Sequence, residues 1–191
     1  TAVVAVSPPA TTAPPPPPPI VGFDEAVKFA ANNLFGKALL PEGANKLPLV
    51  IDPLIDANTG AQSVATQAMQ DKLTGVLKDY PRFELQPFST LSLSKAPLLL
   101  IGTLTAVDKD NKNGSGPRAW YRIWLTLVDL HTGKIVSKGF ARAQISDVDA
   151  TPIAFFRDRP AWTPDGATDG YVRTCQGSKV GDPINPVYWE K

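Results

Sequence analysis

The residues with the clearest chemical potential are aromatic and basic side chains on two consecutive predicted strands. Within each strand they are two positions apart, so that all of them share one face of a predicted hairpin. The set comprises Trp120, Arg122, Trp124, Lys138, Phe140 and Arg142. Tryptophan and arginine supply much of the binding energy of protein interfaces, and aromatic rings also offer stacking surfaces to sugars or bases. The predicted partner-binding residues are therefore Trp120, Arg122, Trp124 and Arg142.

A covering element is the competing interpretation of this face, and it is the one that we favour. The C-terminal part of the chain carries aromatic residues that need a surface to pack on, namely Trp162, Tyr171, Tyr188 and Trp189. Either a helix or this tail would then bury the aromatic face. Both hypotheses, a covered face and an open platform for a partner, follow from the same alternation of side chains along the two predicted strands.

Nucleophilic catalysis has little support in the sequence. His131 is the sole histidine and lies in a predicted hairpin turn, and Cys175 is the sole cysteine, without an identifiable base nearby. No phosphate-binding loop, dinucleotide-binding glycine motif or H-E-x-x-H zinc motif occurs. We therefore predict no catalytic residue and no cofactor-binding residue. An enzyme that uses Cys175, or the acidic pair Asp52 and Asp56, remains the third class of function.

Metal binding is also not predicted. The segment 108–114 superficially resembles a calcium loop, but Lys112 and Asn113 stand where an oxygen ligand and a glycine are required. The acidic pair Asp147 and Asp149 shares one side of an extended segment, an arrangement typical of a solvated face. We interpret the segment 108–117 as a solvated hairpin loop.

Hydrophobic spacing predicts the elements that must position these residues. Amphipathic helices are expected over 23–40 and 61–80. Strands are expected over 47–55, 82–88, 98–107, 119–130 and 135–145. The order of these elements predicts an α/β (α+β) fold: a mixed, mostly antiparallel sheet of four to five strands, two or more helices packed on it, and an irregular C-terminal extension.

The N-terminal region differs in composition from the rest of the chain. Residues 1–20 hold eight prolines, six of them consecutive from Pro14 to Pro19, and no charged side chain. Such a run forms an extended spacer, and twenty residues at about 3.1 Å each would reach roughly 60 Å. We predict a proline-rich disordered linker (1–20), an α/β domain (21–146) and a C-terminal extension packed on that domain (147–191). The formal charge of +1 gives no general attraction to nucleic acid.

Four short segments in this order resemble a known family. They are 49–60, with its D-x-N-T-G turn, 76–83, 97–104, and 127–136, with its V-D-x-x-T-G-K-I-V hairpin. Together they resemble the bacterial cell-envelope lipoprotein domains of the LpoB type, activators of a bifunctional penicillin-binding protein, and the related FlgO and CsgG domains. The resemblance covers about half of the chain, and we transfer no binding residues from it.

The resemblance implies a protein anchored to the outer membrane, with a proline-rich linker that carries a globular domain across the periplasm. We therefore expect a non-catalytic, periplasmic accessory protein that is tethered to the outer membrane through an N-terminal segment ahead of Thr1. It would bind and regulate or scaffold a cell-envelope machine: a peptidoglycan synthase, a secretion system or a flagellar apparatus. The alternative is a module that binds glycan, including peptidoglycan. No nucleic acid partner, cofactor or transmembrane segment is expected.

Overall fold

A computed structural model describes residues 3–5, 13–43, 45–113, 116–153 and 168–184 of the protein. The helices and strands in these ranges are, in chain order, β1 (Ile20–Val21), α1 (Phe23–Gly36), β2 (Leu47–Ile51), β3 (Ile55–Asp56), α2 (Val64–Val76), β4 (Phe83–Gln86), α3 (Thr90–Ser94), β5 (Leu98–Val107), β6 (Trp120–Asp129), β7 (Lys134–Gln144) and α4 (Thr168–Gly177).

One mixed sheet organises the described part of the chain. Its strands lie in the order β1-β7-β6-β5-β2-β4, and β3 pairs with β5. The two longest pairings, β5 with β6 and β6 with β7, are antiparallel, whereas β1, β2, β3 and β4 join their neighbours in parallel. The predicted fold class, a mixed α+β sheet with packed helices, is confirmed. The described sheet has seven strands because two short ones, β1 and β3, join the five that the sequence predicts.

Both additional strands have a local cause. The predicted strand 47–55 is split into β2 and β3 because Pro53 has no N–H for the ladder. The backbone of Asp52 still donates to the carbonyl of Leu100 at 2.9 Å, so the chain stays beside β5 across the break. At the other edge, β1 begins at Ile20, directly after the proline run, and pairs with β7 from Arg142 to Ala143.

The helices α1 and α2 cover one face of the sheet. The buried residues of α1 follow its predicted apolar stripe: Phe23, Ala26, Val27, Ala30, Ala31, Leu34 and Phe35. The start of α2 is fixed by a capping box, in which the Ser63 hydroxyl accepts from the Thr66 amide at 3.2 Å and the Thr66 hydroxyl accepts from the Ser63 amide at 2.8 Å. Among the described residues, none of the helices combines the length and the apolar composition needed to cross a bilayer.

The opposite face of the sheet is covered by α4, which the sequence analysis does not predict. Tyr171, Cys175 and, beyond the helix, Ile184 are buried against β5, β6 and β7. Two glycines, Gly170 and Gly177, and the surrounding proline-rich composition hide the helical spacing of Tyr171 and Cys175. The predicted extension 147–191 thus contains a helix, and its segments 154–167 and 185–191 lie outside the described residues.

The contact between α1 and β7 yields the first prediction. A Cβ added at Gly139 would overlap the backbone carbonyl of Ala30 and lie 3.3 Å from the Leu34 Cβ. We expect Gly139→Ala to lower the free energy of unfolding by about 3 kcal/mol, because backbone must move to admit the methyl group. Urea unfolding followed by circular dichroism measures this change.

Gly75→Ala is the matched control. Gly75 lies in the exposed part of α2, and a Cβ there would meet no atom within 4 Å. The same substitution should therefore stabilise the protein by about 0.5–1 kcal/mol through helix propensity and reduced freedom of the unfolded chain. Equal effects at the two sites would contradict the close packing of α1 on β7.

Candidate functional site

The register of β6 and β7 brings the predicted aromatic and basic residues together on one face. Arg122 lies opposite Arg142, Trp124 opposite Phe140, and Thr126 opposite Lys138. We call this surface the aromatic–basic face; it comprises Trp120, Arg122, Trp124, Lys138, Phe140 and Arg142. The shared parity that the sequence predicts is therefore present in the structure, whereas the role of these residues in binding a partner stays a prediction.

Helix α4 lies over part of this side of the sheet and is held there by polar contacts. The Gln176 side-chain amide donates to the hydroxyls of Thr103 and Thr105, both at 3.0 Å. The Thr126 hydroxyl donates to the carbonyl of Cys175 at 2.8 Å, and the Tyr171 hydroxyl accepts from the Gly102 amide at 2.9 Å. The expected covering by a helix is thus present in part. Trp162, Tyr188 and Trp189, which the sequence analysis also proposes as covers, lie outside the described residues.

Among the described residues, a groove of about 440 Å³ lies between α4 and the part of the face that this helix does not cover. The groove is lined by residues of the sheet and of α4, among them Arg122, Trp124, Phe140, Val172, Arg173 and Gln176. Arg122 and Trp124, two of the four predicted partner-binding residues, therefore line a concave site.

The floor of the groove is aromatic. The rings of Trp124 and Phe140 lie 4.5 Å apart at an angle of 39°, and both side chains are partly exposed. The ammonium of Lys138 lies 4.7 Å from the centre of the Trp124 ring and donates to the carbonyl of Ser178 at 2.6 Å. Burial lowers the pKa of Lys138, while the nearby Cys175 and Asp182 oppose that shift. Lys138 therefore makes a cation–π contact with the Trp124 ring but does not line the groove.

Arg122 is oriented by neutral oxygen atoms. Its Nη1 donates to the side-chain and backbone oxygens of Asn111 at 3.0 and 3.3 Å, and its Nη2 donates to the Gln176 side-chain oxygen at 3.2 Å. Within the described residues it forms no ion pair, and its buried Nε has no hydrogen-bond partner. Burial lowers the pKa of Arg122, although a guanidinium stays charged. The result is a half-buried cation held in a fixed direction.

The loop between β5 and β6 supplies Asn111 for this arrangement. The Asp108 carboxylate accepts from the amides of Asp110 and Lys112 at 2.9 and 3.0 Å. Asn111 itself has a positive φ of 61°, which asparagine tolerates better than most residues. The segment that superficially resembles a calcium loop therefore uses its first carboxylate to shape its own turn. Within the described residues, no group of three potential metal ligands is found.

The other two predicted binding residues lie outside the groove. Trp120 is buried, with 6% of its surface exposed, and the Arg142 guanidinium lies 5.1 Å from the centre of its ring. The Arg142 Nε donates to the carbonyl of Pro18 at 2.6 Å. The structure thus joins Trp120 and Arg142 to the end of the proline run and separates them from Trp124 and Arg122.

The groups considered for catalysis are not part of the groove. Asp52 and Asp56 are buried in the region where β2 passes to β3. Burial raises the pKa of Asp56, and hydrogen bonds from the amides of Asn58 and Thr59 oppose the shift. His131 is exposed at the tip of the β6–β7 hairpin. Cys175, on the face of α4 that packs against the sheet, is fully buried, which is a poor environment for a nucleophile.

Sequence reasoning missed the groove residues that come from outside the hairpin. Asn111 belongs to a loop whose path depends on Asp108, and Arg173 and Gln176 belong to α4. The four-residue spacing of Tyr171 and Cys175 is the signal that could have revealed α4.

Comparisons with known proteins give similarity only at the level of structure. No family model matches the chain, and no curated protein matches it. Among solved structures, the LpoB C-terminal domain from Escherichia coli is 15% identical over 63% of this chain and 96% of that domain, with a TM-score of 0.40. The LpoB C-terminal domain from Salmonella enterica is 16% identical over 64% and 98%, with a TM-score of 0.41. These are domains of the LpoB type, the type that the sequence resembles.

The buried thiol of Cys175 yields the second prediction. Burial raises its pKa to about 11, against contacts with Thr103 and Thr126 and the nearby charge of Lys138, which lower it. The unfolded thiol ionises near pH 8.5–9. The buried, protonated thiol therefore makes its full contribution to the free energy of unfolding below that pH. This contribution is lost as the pH rises toward 11, a change on the order of 2–3 kcal/mol.

Urea unfolding of wild type and Cys175→Ala between pH 8 and pH 11 isolates this contribution. Both proteins will lose stability from other titrating groups, but the wild type should lose the additional amount. At pH 8 the native thiol should also react with a thiol reagent far more slowly than in the unfolded chain. Identical pH profiles for the two proteins would contradict the burial of this thiol.

Proposed function

We propose that this chain is a non-catalytic accessory protein of the bacterial cell envelope that binds a protein partner through the groove. The observation that carries the proposal is the pre-oriented guanidinium of Arg122 beside the partly exposed rings of Trp124 and Phe140. Tryptophan and arginine in a concave, partly desolvated site are the typical composition of an interface hot spot. The groove thus combines an oriented arginine with exposed aromatic surface, which are the components that binding of a protein partner requires.

The chemistry of the groove favours binding over reaction. Its polar side chains are the guanidinium groups of Arg122 and Arg173 and the amides of Asn111 and Gln176. None of these is a general base or a nucleophile at neutral pH. The more reactive side chains, Cys175 and Asp56, are buried elsewhere with raised pKa values. Recognition of a partner is the activity that this combination supports best.

The cellular setting of the proposal comes from the sequence. The segments 49–60, 76–83, 97–104 and 127–136 resemble lipoprotein domains of the LpoB type, which act on a peptidoglycan synthase. The prolines before Ile20 suit a spacer that reaches from a membrane anchor to a distant partner. We therefore propose a periplasmic protein, tethered to the outer membrane through a lipidated N-terminus, that regulates or scaffolds a peptidoglycan synthase. A precursor that has no lipidated cysteine ahead of Thr1 would contradict the tether.

Binding of peptidoglycan glycan is the second candidate function. The observation that favours it is the adjacency of two partly exposed aromatic rings to the amide side chains of Asn111 and Gln176. Aromatic rings stack on sugars and amides bind their hydroxyl groups. Sedimentation with purified sacculi separates the candidates, because a protein adaptor stays in the supernatant whereas a glycan-binding module sediments.

The third prediction concerns Trp124 and Arg122. We expect Trp124→Leu and Arg122→Gln each to weaken binding to the purified peptidoglycan synthase of the same bacterium by about 30-fold, the ratio for a hot spot of about 2 kcal/mol. Titration calorimetry with the wild-type chain and each variant measures the dissociation constants. Circular dichroism establishes that each variant is folded.

Leu91→Ala is the matched control. Leu91 is also a large apolar residue, 71% exposed, but it lies on α3 after the edge strand β4, away from the groove. Its substitution should leave the dissociation constant unchanged. If a folded Trp124→Leu protein binds the synthase as tightly as wild type, the groove is not the binding site.

A further inference from the structure

We propose that the groove binds a proline-rich segment of the partner in the polyproline II conformation. In this arrangement Trp124 and Phe140 form the floor on which the proline rings pack, and Arg122 donates to a backbone carbonyl of the segment. The inference rests on the proposed function, because it names the chemistry of the partner segment that the same groove receives.

The first support is a contact of the same kind elsewhere on the aromatic–basic face. The carbonyl of Pro18, in the run from Pro14 to Pro19, accepts from Arg142 at 2.6 Å, and Arg142 in turn lies over the ring of Trp120. An arginine beside a tryptophan thus already binds a proline carbonyl on this face. The groove contains the same two residue types, Arg122 and Trp124, which lie two and four positions after Trp120 on β6.

The second support is the type of acceptor that the guanidinium groups of this face use. The acceptors of Arg122 and Arg142 among the described residues are amide or peptide oxygens of Asn111, Gln176 and Pro18. A polyproline II segment has no internal hydrogen bonds, so its carbonyls are free to accept. A guanidinium has five N–H donors, so the three bonds of Arg122 leave two: the buried Nε–H and one N–H on Nη2. The N–H on Nη2 is the one that we assign to a further carbonyl.

The third support is the match of dimensions. Residues two apart on a strand, such as Arg122 and Trp124, are separated by about 7 Å. One turn of a polyproline II helix contains three residues and rises about 9 Å. A single turn can therefore place a proline ring on Trp124 and a carbonyl at Arg122. Grooves lined by aromatic residues are the usual receptors for such segments.

The occupant that we infer is a segment of the partner, not the chain's own run. The path of that run is fixed at its end, because Ile20 and Val21 pair with β7 at Arg142 and Ala143, and Pro18 is bound by Arg142. This places the run at the outer edge of β7, whereas the groove lies between β7, β6 and α4.

The fourth prediction tests this inference with defined peptides. We expect decaproline, added to the ¹⁵N-labelled full chain, to shift the indole N–H resonance of Trp124 saturably, because the ring packs on proline. A Gly-Ser peptide of equal length should leave that resonance in place. Arg122→Lys, which keeps the charge but loses the planar donor fork, should weaken decaproline binding about tenfold.

Arg142→Gln is the matched control for the position of the site. It removes the contact with Pro18 but leaves the groove intact, so decaproline should bind this variant as tightly as wild type. If Arg142→Gln abolishes the shifts, the peptide competes with the chain's own run and the inference is wrong. The inference also fails if a hexaglutamate peptide or a peptidoglycan fragment shifts Trp124 at lower concentration than decaproline does.

Two further outcomes separate this inference from the proposed function. If Trp124→Leu weakens binding to the synthase but decaproline leaves Trp124 unaffected, the proline inference fails and the proposed function stands. If the chain self-associates in light scattering and Trp124→Leu abolishes this, the occupant is the proline run of a second copy, and the assignment to a partner segment is overturned.

Discussion

The structure depends on the need to cover both faces of the sheet formed by β5, β6 and β7. Every residue of β5 is buried, so neither face of the sheet can meet water at this strand. A sheet with two apolar faces is stable only when both are packed against other elements. One face is covered by α1 and α2, and the other by α4. Among the described residues, the position of α4 therefore determines which part of the second face is covered.

The two covers use different physical interactions. Against α1 the contact is apolar and close, since Gly139 allows β7 to approach the backbone of Ala30. Against α4 the contact includes directional hydrogen bonds from Gln176 and Thr126, which fix where the helix lies along the strands. Because α4 is short and its position is fixed in this way, it does not reach over the rings of Trp124 and Phe140, which stay partly exposed. Within the part of the chain that the structure describes, the groove thus forms where α4 ends short of the aromatic–basic face.

The sequence predicts the fold class and the sharing of a face by the aromatic and basic residues, because alternation along a strand is a local property. It does not distinguish Trp120 from Trp124, since their parity is the same and only the elements above them differ. Trp120 lies beneath Arg142, whereas Trp124 lines the groove. Tertiary contacts decide this difference, as they decide the placement of Asn111 and α4. The interruption of the predicted strand at Pro53 has a local cause and could have been predicted from the sequence.

The pairing of Arg122 with Arg142 bears directly on the proposed role of this face in recognition. Like charges directly opposite each other on neighbouring strands are destabilising, and these two guanidinium groups diverge, one toward Asn111 and Gln176 and the other toward Pro18. Among the described residues, the acceptors of both groups are neutral oxygen atoms, and neither group forms an ion pair with a carboxylate. Both positive charges therefore stay uncompensated in that part of the chain. Because Arg122 is already held in place, little side-chain entropy of this arginine is lost when a ligand accepts a hydrogen bond from its remaining Nη2 N–H. A fixed donor next to a partly exposed aromatic pair can therefore contribute affinity that a mobile surface arginine would lose to ordering.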